Sequence, residues 1–219
     1  VLMLVLAYGL LPNPPRRQRH EAETMGAMLA SLLGNQRLIA CLLVTIGGCV
    51  GFGLFISFMP LYIRSLGMST TTIGLVCATQ ALANALARIP AGWLCDHIGE
   101  RRILVIAGTS VLAVAIAAFG LCSTLLPLVI TAAIMGLSMG IGFTVICTLI
   151  ADAVPPRMRG LAMGCYNTSV YLGMTICALG MGIVIRERGF AMSFYCTGGI
   201  ILASVLFFLI LYKPQKIVI

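Results

Sequence analysis

Three polar side chains recur at four-residue steps in an otherwise apolar stretch, at Gln80, Asn84 and Arg88. Four residues correspond to about 400° of α-helical turn, so the three side chains form one gently coiling stripe on a helix. Amides and a guanidinium recognise polar groups by hydrogen bonds and charge. Because such groups are costly inside a bilayer, they face protein or water. The pattern leaves two interpretations open: the stripe borders a solute pathway, or its residues seal a seam between two halves of the protein or bond to backbone.

Further along the same helix, the polar stripe runs into the turn GWLCDHIGERR, which begins at Gly92. Gly92 permits close backbone approach between helices, and Gly99 permits a tight turn. Asp96 is an anion placed to face the amino terminus of a neighbouring helix or an arginine. Arg101 and Arg102 hold the turn on one side of a membrane. By themselves, the residues predict a topological anchor at this turn.

A second polar turn, ADAVPPRMRG, follows two apolar stretches later and carries Asp152, Arg157, Arg159 and Gly160. The helix predicted after it has a polar portion, which includes three residues with amide or phenol side chains: Tyr166, Asn167 and Tyr171. Polar groups at this position are unusual for a helix that faces only lipid.

The elements that position these residues are apolar helices long enough to cross a bilayer. Sixty per cent of the 219 residues are hydrophobic, nine per cent are charged and the mean hydropathy is +1.09. About 20 apolar residues cross a hydrocarbon layer of about 30 Å. Six stretches qualify, near 38–60, 72–95, 103–121, 126–151, 160–185 and 192–212. With short connections, they predict an all-α integral membrane protein, an up-and-down bundle of six transmembrane helices.

The distribution of basic residues predicts the orientation of the bundle. When the helices are followed alternately, ten Lys and Arg residues fall on one side and three on the other. The positive-inside rule assigns the first side, which includes both polar turns, to the cytoplasm. The net charge of +8 is therefore explained by topology, and no nucleic-acid partner is expected.

The remaining segments divide the chain into four regions. Residues 1–12 are apolar but would reach only about 18 Å as a helix, so we interpret them as the tail of a truncated transmembrane helix. Residues 13–37 form a cytoplasmic linker whose second half has the spacing of an interfacial amphipathic helix. Residues 38–212 are the bundle, and 213–219 are a cytoplasmic tail.

Motifs for catalysis or cofactor binding are not found in the sequence. Neither a GxSxG elbow nor a phosphate-binding GxxxxGK[ST] loop occurs, and the nine Cys residues include no CxxC pair. We expect no enzyme activity, no metal and no cofactor. In the fourth apolar stretch, Gly136 and Gly140 form a small-xxx-small face that predicts close helix packing.

The turn around Gly92, Asp96, Gly99, Arg101 and Arg102 resembles the signature loop of the major facilitator superfamily (MFS) of transporters. His97 stands where the family usually has Arg or Lys, and Glu100 stands at its first basic position. The turn at 151–160 resembles the family's connection between the tenth and eleventh helices. The resemblance implies that residues 37–212 are helices 7 to 12, the carboxyl-terminal half of an MFS fold, preceded by the end of helix 6 and the central linker.

The resemblance also implies a function. In this family the loop is a gate that favours one conformation, and the helix carrying Tyr166, Asn167 and Tyr171 borders a central cavity. The expected activity is transport of a small solute by alternating access, with efflux of drugs or metabolites favoured. The expected partners are the lipid bilayer, the solute and the missing amino-terminal half. The expected location is a plasma membrane, and the short loops favour the bacterial inner membrane. The alternatives are a non-transporting sensor or assembly subunit on the same scaffold, and a solute receptor without turnover.

Overall fold

The computed structural model describes residues 25–98 and 100–212, except the side chains of Met25, Ala27 and Asp96. This part of the chain is helical throughout, without strands. The predicted regions 1–12 and 213–219, the first half of the linker and Gly99 lie outside it. The helices are α1 (Met25–Leu33), α2 (Gln36–Ser65), α3 (Thr70–His97), α4 (Arg101–Phe119), α5 (Leu125–Ala153) and α6 (Arg159–Leu211), with a 3-10 turn at Pro156–Met158 before α6.

The helices α2 to α6 are long and apolar enough to cross a membrane, as the composition predicted. Five candidate spans lie in the described part, and the last of them runs over 56 residues. It holds two crossings, because α6 is broken at Gly189, where φ is 80° and ψ is 175°. Gly173 before the break contacts Ile46 and Cys49 of α2, and Ser204 after the break contacts Gly47. The two arms of α6 therefore fold back on each other, and the described part of this integral, multi-pass membrane protein makes six crossings.

The break in α6 corrects the expected boundaries of the last two helices. The sequence placed a connection between 185 and 192, but both arms stay helical up to a single residue, Gly189. A positive φ with extended ψ is readily adopted only by glycine, so one residue reverses the chain without a loop. The arms, residues 159–188 and 190–211, are called the first and second arm of α6 below.

The helices pack through small residues that let backbones approach closely, as helix contacts in membranes require. A Cβ at Gly140 of α5 would lie 2.6 Å from the backbone carbonyl oxygen of Asn84 and 2.7 Å from the Ala87 Cβ, both on α3. One turn earlier, a Cβ at Gly136 would lie 2.8 Å from the Ala83 Cβ. The predicted small-xxx-small face on α5 is thus confirmed, and its partner is α3.

The bundle has two distinct ends. At one, which we call the basic end, the starts of α2, α4 and α6 meet the ends of α3 and α5. At the opposite end an aromatic cluster joins α2, α4 and α6: the rings of Tyr62 and Phe194 are 5.2 Å apart, and those of Phe55 and Phe119 are 5.7 Å apart. The Tyr62 hydroxyl donates a hydrogen bond of 2.8 Å to the Cys122 carbonyl. These contacts hold α2, α4 and α6 together at the end of the bundle opposite the polar turns.

Candidate functional site

The polar stripe on α3 turns gradually from the bundle interior to the open surface. Gln80 is only 5% exposed, and its Nε2 lies 3.7 Å from the Met139 sulfur of α5. Asn84 is half-buried, and Arg88 is exposed. Each four-residue step exceeds a full turn by about 40°, so the stripe rotates by about 80° from Gln80 to Arg88. One end of it therefore packs inside the bundle while the other faces outward.

Arg88 lies in a polar cluster that four helices build together. Its Nε donates a hydrogen bond of 3.2 Å to Asn84 Oδ1. Tyr166 of α6 and Cys147 of α5 lie near each other and within electrostatic range of the Arg88 charge. Cys49 of α2 also lies within electrostatic range of Tyr166. Two of the predicted pathway residues from different helices, Arg88 and Tyr166, are thus within electrostatic range of each other.

Asn167 and Tyr171 lie apart from this cluster. Both are on the exposed surface of the first arm, where the Tyr171 side chain is 69% exposed. At 100° per residue, Asn167 and Tyr171 point about 100° and 140° away from Tyr166. The arm packs on α2 through the side that carries Ser169, Gly173 and Cys177. The predicted pathway roles of Asn167 and Tyr171 therefore rest on their exposure alone.

The two polar turns meet at the basic end. Arg101 Nη1 forms an ion pair of 2.6 Å with Asp152 Oδ2, and its Nε donates a hydrogen bond of 2.8 Å to the Cys95 carbonyl. One guanidinium thus joins the end of α3, the start of α4 and the end of α5. The charged side chains are 31% and 56% exposed, so water and salt weaken the ion pair. Arg102 makes a local pair with Glu100, at 3.3 Å.

The sequence did not predict the pairing of Arg101 with Asp152. We expected Asp96 to face an arginine or the amino terminus of a neighbouring helix, and its side chain lies outside the described part. The available signal was two opposite charges, each at a helix end on the same predicted side of the membrane. Nothing in the spacing indicated that the two turns are in contact.

Side chains also satisfy the last carbonyl groups of α5, which have no partner within the helix. Arg159 Nε donates to the Ala151 carbonyl at 3.1 Å. Asn35 Nδ2 donates to the Ala153 carbonyl at 2.8 Å, while its Oδ1 caps the start of α2 by accepting from the Arg37 amide. Asn35 was not predicted as part of the site, although Asn is a favoured helix cap. It connects the linker to the same turn that Arg101 holds.

The glycines of the two turns have open surroundings in the described part. A Cβ built at Gly92 or at Gly160 would meet no described atom within 4 Å. Arg157 is exposed in the 3-10 turn. The close approach predicted for Gly92 is therefore not made by another described helix of this bundle.

One side of the bundle is left uncovered at α3. In the most apolar window of α3 only 17% of residues are buried, against 67% in α2 and 61% in α5. Large apolar side chains project from its open face, among them Leu82, Ile89 and Trp93, which are 60–78% exposed. Lipid or protein must cover such a surface.

Comparison with known proteins gives consistent matches over most of the chain. The family model described as Major Facilitator Superfamily matches residues 41–218. An uncharacterised MFS-type transporter of Methanocaldococcus jannaschii is 30% identical over 158 residues, which are 72% of this chain and 41% of that protein. The quinolone resistance protein NorA of Staphylococcus aureus is 28% identical over 168 residues, 76% of this chain and 43% of that protein.

The fold has a counterpart among solved structures. The crystal structure of the POT family transporter PepTSo aligns with a TM-score of 0.69 at 13% identity, over 83% of this chain and 40% of that one. At this identity the likeness concerns the fold alone. The chain spans about two fifths of the length of the curated relatives it matches.

Proposed function

Because this chain belongs to the Major Facilitator Superfamily, we propose that it forms one half of a secondary transporter and not an enzyme. In such carriers two halves rock against each other around a central site, which opens alternately to the two sides of the membrane. The observation that carries the proposal is the cluster of Asn84, Arg88 and Tyr166 at an uncovered side of the bundle. A second half packed against the exposed end of the polar stripe would enclose the cluster.

The ion pair between Arg101 and Asp152 supports a gating role for the basic end. It joins the two turns at the basic end, so it has to break if these turns move apart. An exposed ion pair contributes about 1 kcal/mol or less, which is weak enough to break in every cycle. We propose that the turn at Gly92, Asp96, Gly99, Arg101 and Arg102 closes on the turn at 151–160 in one conformation.

The proposed solute is a small molecule with a large apolar part, and the proposed direction is efflux. The interior of the described bundle is mostly apolar, and one relative is named for quinolone resistance. The proposed location is the bacterial inner membrane, which agrees with the short connections between the helices and with the bacterial source of that relative.

Transport by cells tests this proposal directly. We would express this chain, and the longest natural reading frame that contains it, and follow efflux of a panel of apolar dyes and labelled solutes. Activity of the longer product alone would support a transporter that needs both halves. Activity of the short chain would indicate that copies of it assemble into a carrier.

Two variants of the longer product refine the test. The double change Asn84→Ala with Arg88→Ala should abolish or strongly reduce efflux, whereas Gly199→Ala, on the exposed side of the second arm, should not. Normal efflux by the double variant would refute the pathway role of the cluster. Absence of efflux from correctly inserted wild-type protein would instead favour a sensor or an assembly subunit.

A further inference from the structure

Arg88 is a cation inside the span of a membrane helix, and the described residues provide no acidic partner for it. It lies nine residues before the end of α3 at His97, roughly 14 Å along the helix axis, and therefore within a hydrocarbon layer about 30 Å thick. We propose that Arg88, together with Asn84 and Tyr166, binds a carboxylate or another singly negative group of the transported solute. This inference rests on the proposed transport function and specifies the chemistry of its solute.

The charge balance around Arg88 is the first argument. The hydrogen-bond partner that the structure gives it is the neutral amide of Asn84. The described acidic side chains are all near helix ends. Asp152 pairs with Arg101, Glu100 pairs with Arg102, and Glu187 is exposed two residues before the break in α6. Asp96, whose side chain is not described, is two helical turns further along α3, roughly 12 Å. A cation at this depth is stabilised when a counter-charge arrives, and an anionic solute supplies one.

The arrangement of hydrogen-bond donors is the second argument. Only Nε of the guanidinium bonds with Asn84 Oδ1, which leaves the Nη side of the fork to bind two oxygens of one carboxylate. Because the Asn84 oxygen accepts that bond, its amide nitrogen remains a donor. Tyr166, on α6, adds a hydroxyl near Arg88. The exposed leucines of α3 lie about 120° to 160° around the helix from Arg88, so the negative group would be held apart from an apolar surface.

Charged thiol reagents measure the potential at this site without any need for transport. Cys147 lies near Tyr166 and within the field of Arg88, and Cys196 on the second arm serves as the internal control. Purified full-length protein in nanodiscs would be treated with negatively and positively charged methanethiosulfonates, and each cysteine quantified by peptide mass spectrometry. We expect the negative reagent to be favoured at Cys147 at least threefold more than at Cys196. Arg88→Gln should remove this preference, and Arg64→Gln, at the opposite end of α2, should retain it.

Flux of matched probes tests whether the positive site selects the solute. The probes are naphthalene-2-carboxylate, its neutral carboxamide and the corresponding methylammonium, measured in proteoliposomes. We expect Arg88→Gln to reduce carboxylate flux at least tenfold relative to carboxamide flux, and Arg88→Lys to restore part of it. Equal loss for all three probes would overturn the inference, because it would show that Arg88 maintains the structure or pairs with the other half.

The two measurements separate the inference from the function on which it rests. If wild-type protein moves none of the probes, the transport proposal fails for these solutes, and the reagent preference at Cys147 alone decides whether the site is anion-selective. Absence of a charge preference, or no reaction at Cys147 with either reagent, would refute the inference, because a solute site has to be both positive and reachable from water.

Discussion

The contact between α3 and α5 makes a sharp prediction about Gly136 and Gly140. Replacing either glycine by alanine places a methyl group against the α3 backbone. At Gly136 the new Cβ would be 3.0 Å from the backbone nitrogen of Asn84 and still closer to the backbone carbonyl of Gln80. At Gly140 it would be 2.6 Å from the backbone carbonyl oxygen of Asn84. Because these neighbours are backbone atoms, a change of side-chain rotamer cannot relieve the contact. The two helices have to move apart.

The expected cost follows from the size of such overpacking. Inserting a methyl group into a packed interior costs about 1–3 kcal/mol, and alanine favours a helix over glycine by about 1 kcal/mol. The appropriate control is therefore another helical glycine to alanine change without a close neighbour. Gly199 fits, since a Cβ there meets no described atom within 4 Å. In a domain of about 150–250 residues, about 2–4 °C of melting temperature corresponds to 1 kcal/mol. If the bundle unfolds as one unit, its melting temperature in each variant should be roughly 2–12 °C below that in Gly199→Ala.

Thermal unfolding with a thiol-reactive dye provides the assay, because Cys41, Cys49 and Cys177 are buried and become reactive on unfolding. The variants would be compared as full-length protein in the same detergent. If Gly136→Ala and Gly140→Ala melt at the same temperature as Gly199→Ala, the close contact between α3 and α5 is not present in the protein, and the placement of Asn84 and Arg88 has to be revised.

Three further changes probe other parts of the structure. Arg101→Gln should shift the melting temperature by only a few degrees, since the ion pair with Asp152 is exposed and contributes about 1 kcal/mol or less. A cysteine-accessibility assay should nevertheless show that thiol reagents reach the basic end more readily. Unchanged accessibility would argue against a gating role of this ion pair. Tyr62→Phe should lower the free energy of unfolding by about 1 kcal/mol, because it removes the hydrogen bond to the Cys122 carbonyl and keeps the ring. Denaturant titration measures this free energy, and an unchanged value would show that the hydrogen bond does not stabilise the protein. Gly189→Ala should cost about 1–3 kcal/mol because of its φ of 80°, and wild-type stability in thermal unfolding would contradict the sharp reversal there.

The fold was largely predictable from the sequence because the membrane restricts the choice of structure. Each apolar stretch has to be helical, as a backbone without internal hydrogen bonds is excluded from lipid. The face formed by Gly136 and Gly140 was recognisable for the same reason, since close packing needs small residues. The boundary at Gly189 was missed because hydropathy shows only that two spans follow each other closely. It does not show that one glycine can reverse the chain.

The site was less predictable, because it depends on contacts between distant segments. Helical spacing placed Gln80, Asn84 and Arg88 on one stripe, but the side of the bundle that each residue faces depends on which helix packs against α3. Gln80 turned inward because α5, not α2, is the main neighbour of α3. Likewise, the spacing of Arg101 and Asp152, 51 residues apart, contains no signal of their pairing. A helical pattern gives the direction of each side chain relative to its own helix, and only packing determines which neighbour that side chain faces.

The different strengths of these contacts indicate how the bundle moves. The helices inside it touch through glycine against backbone, so separating α3 from α5 would lose a large contact area together with the burial of Gln80. The Arg101 pair at the basic end is exposed and weak by comparison. A force between two halves therefore breaks the surface ion pair before it deforms the helix contacts. The bundle would then tilt largely as one body, and the cluster at Arg88 would keep its geometry while access to it changes. Site and gate can in this way be altered separately, which is why substitutions at Arg88 should change the choice of solute and substitutions at Arg101 the balance between conformations.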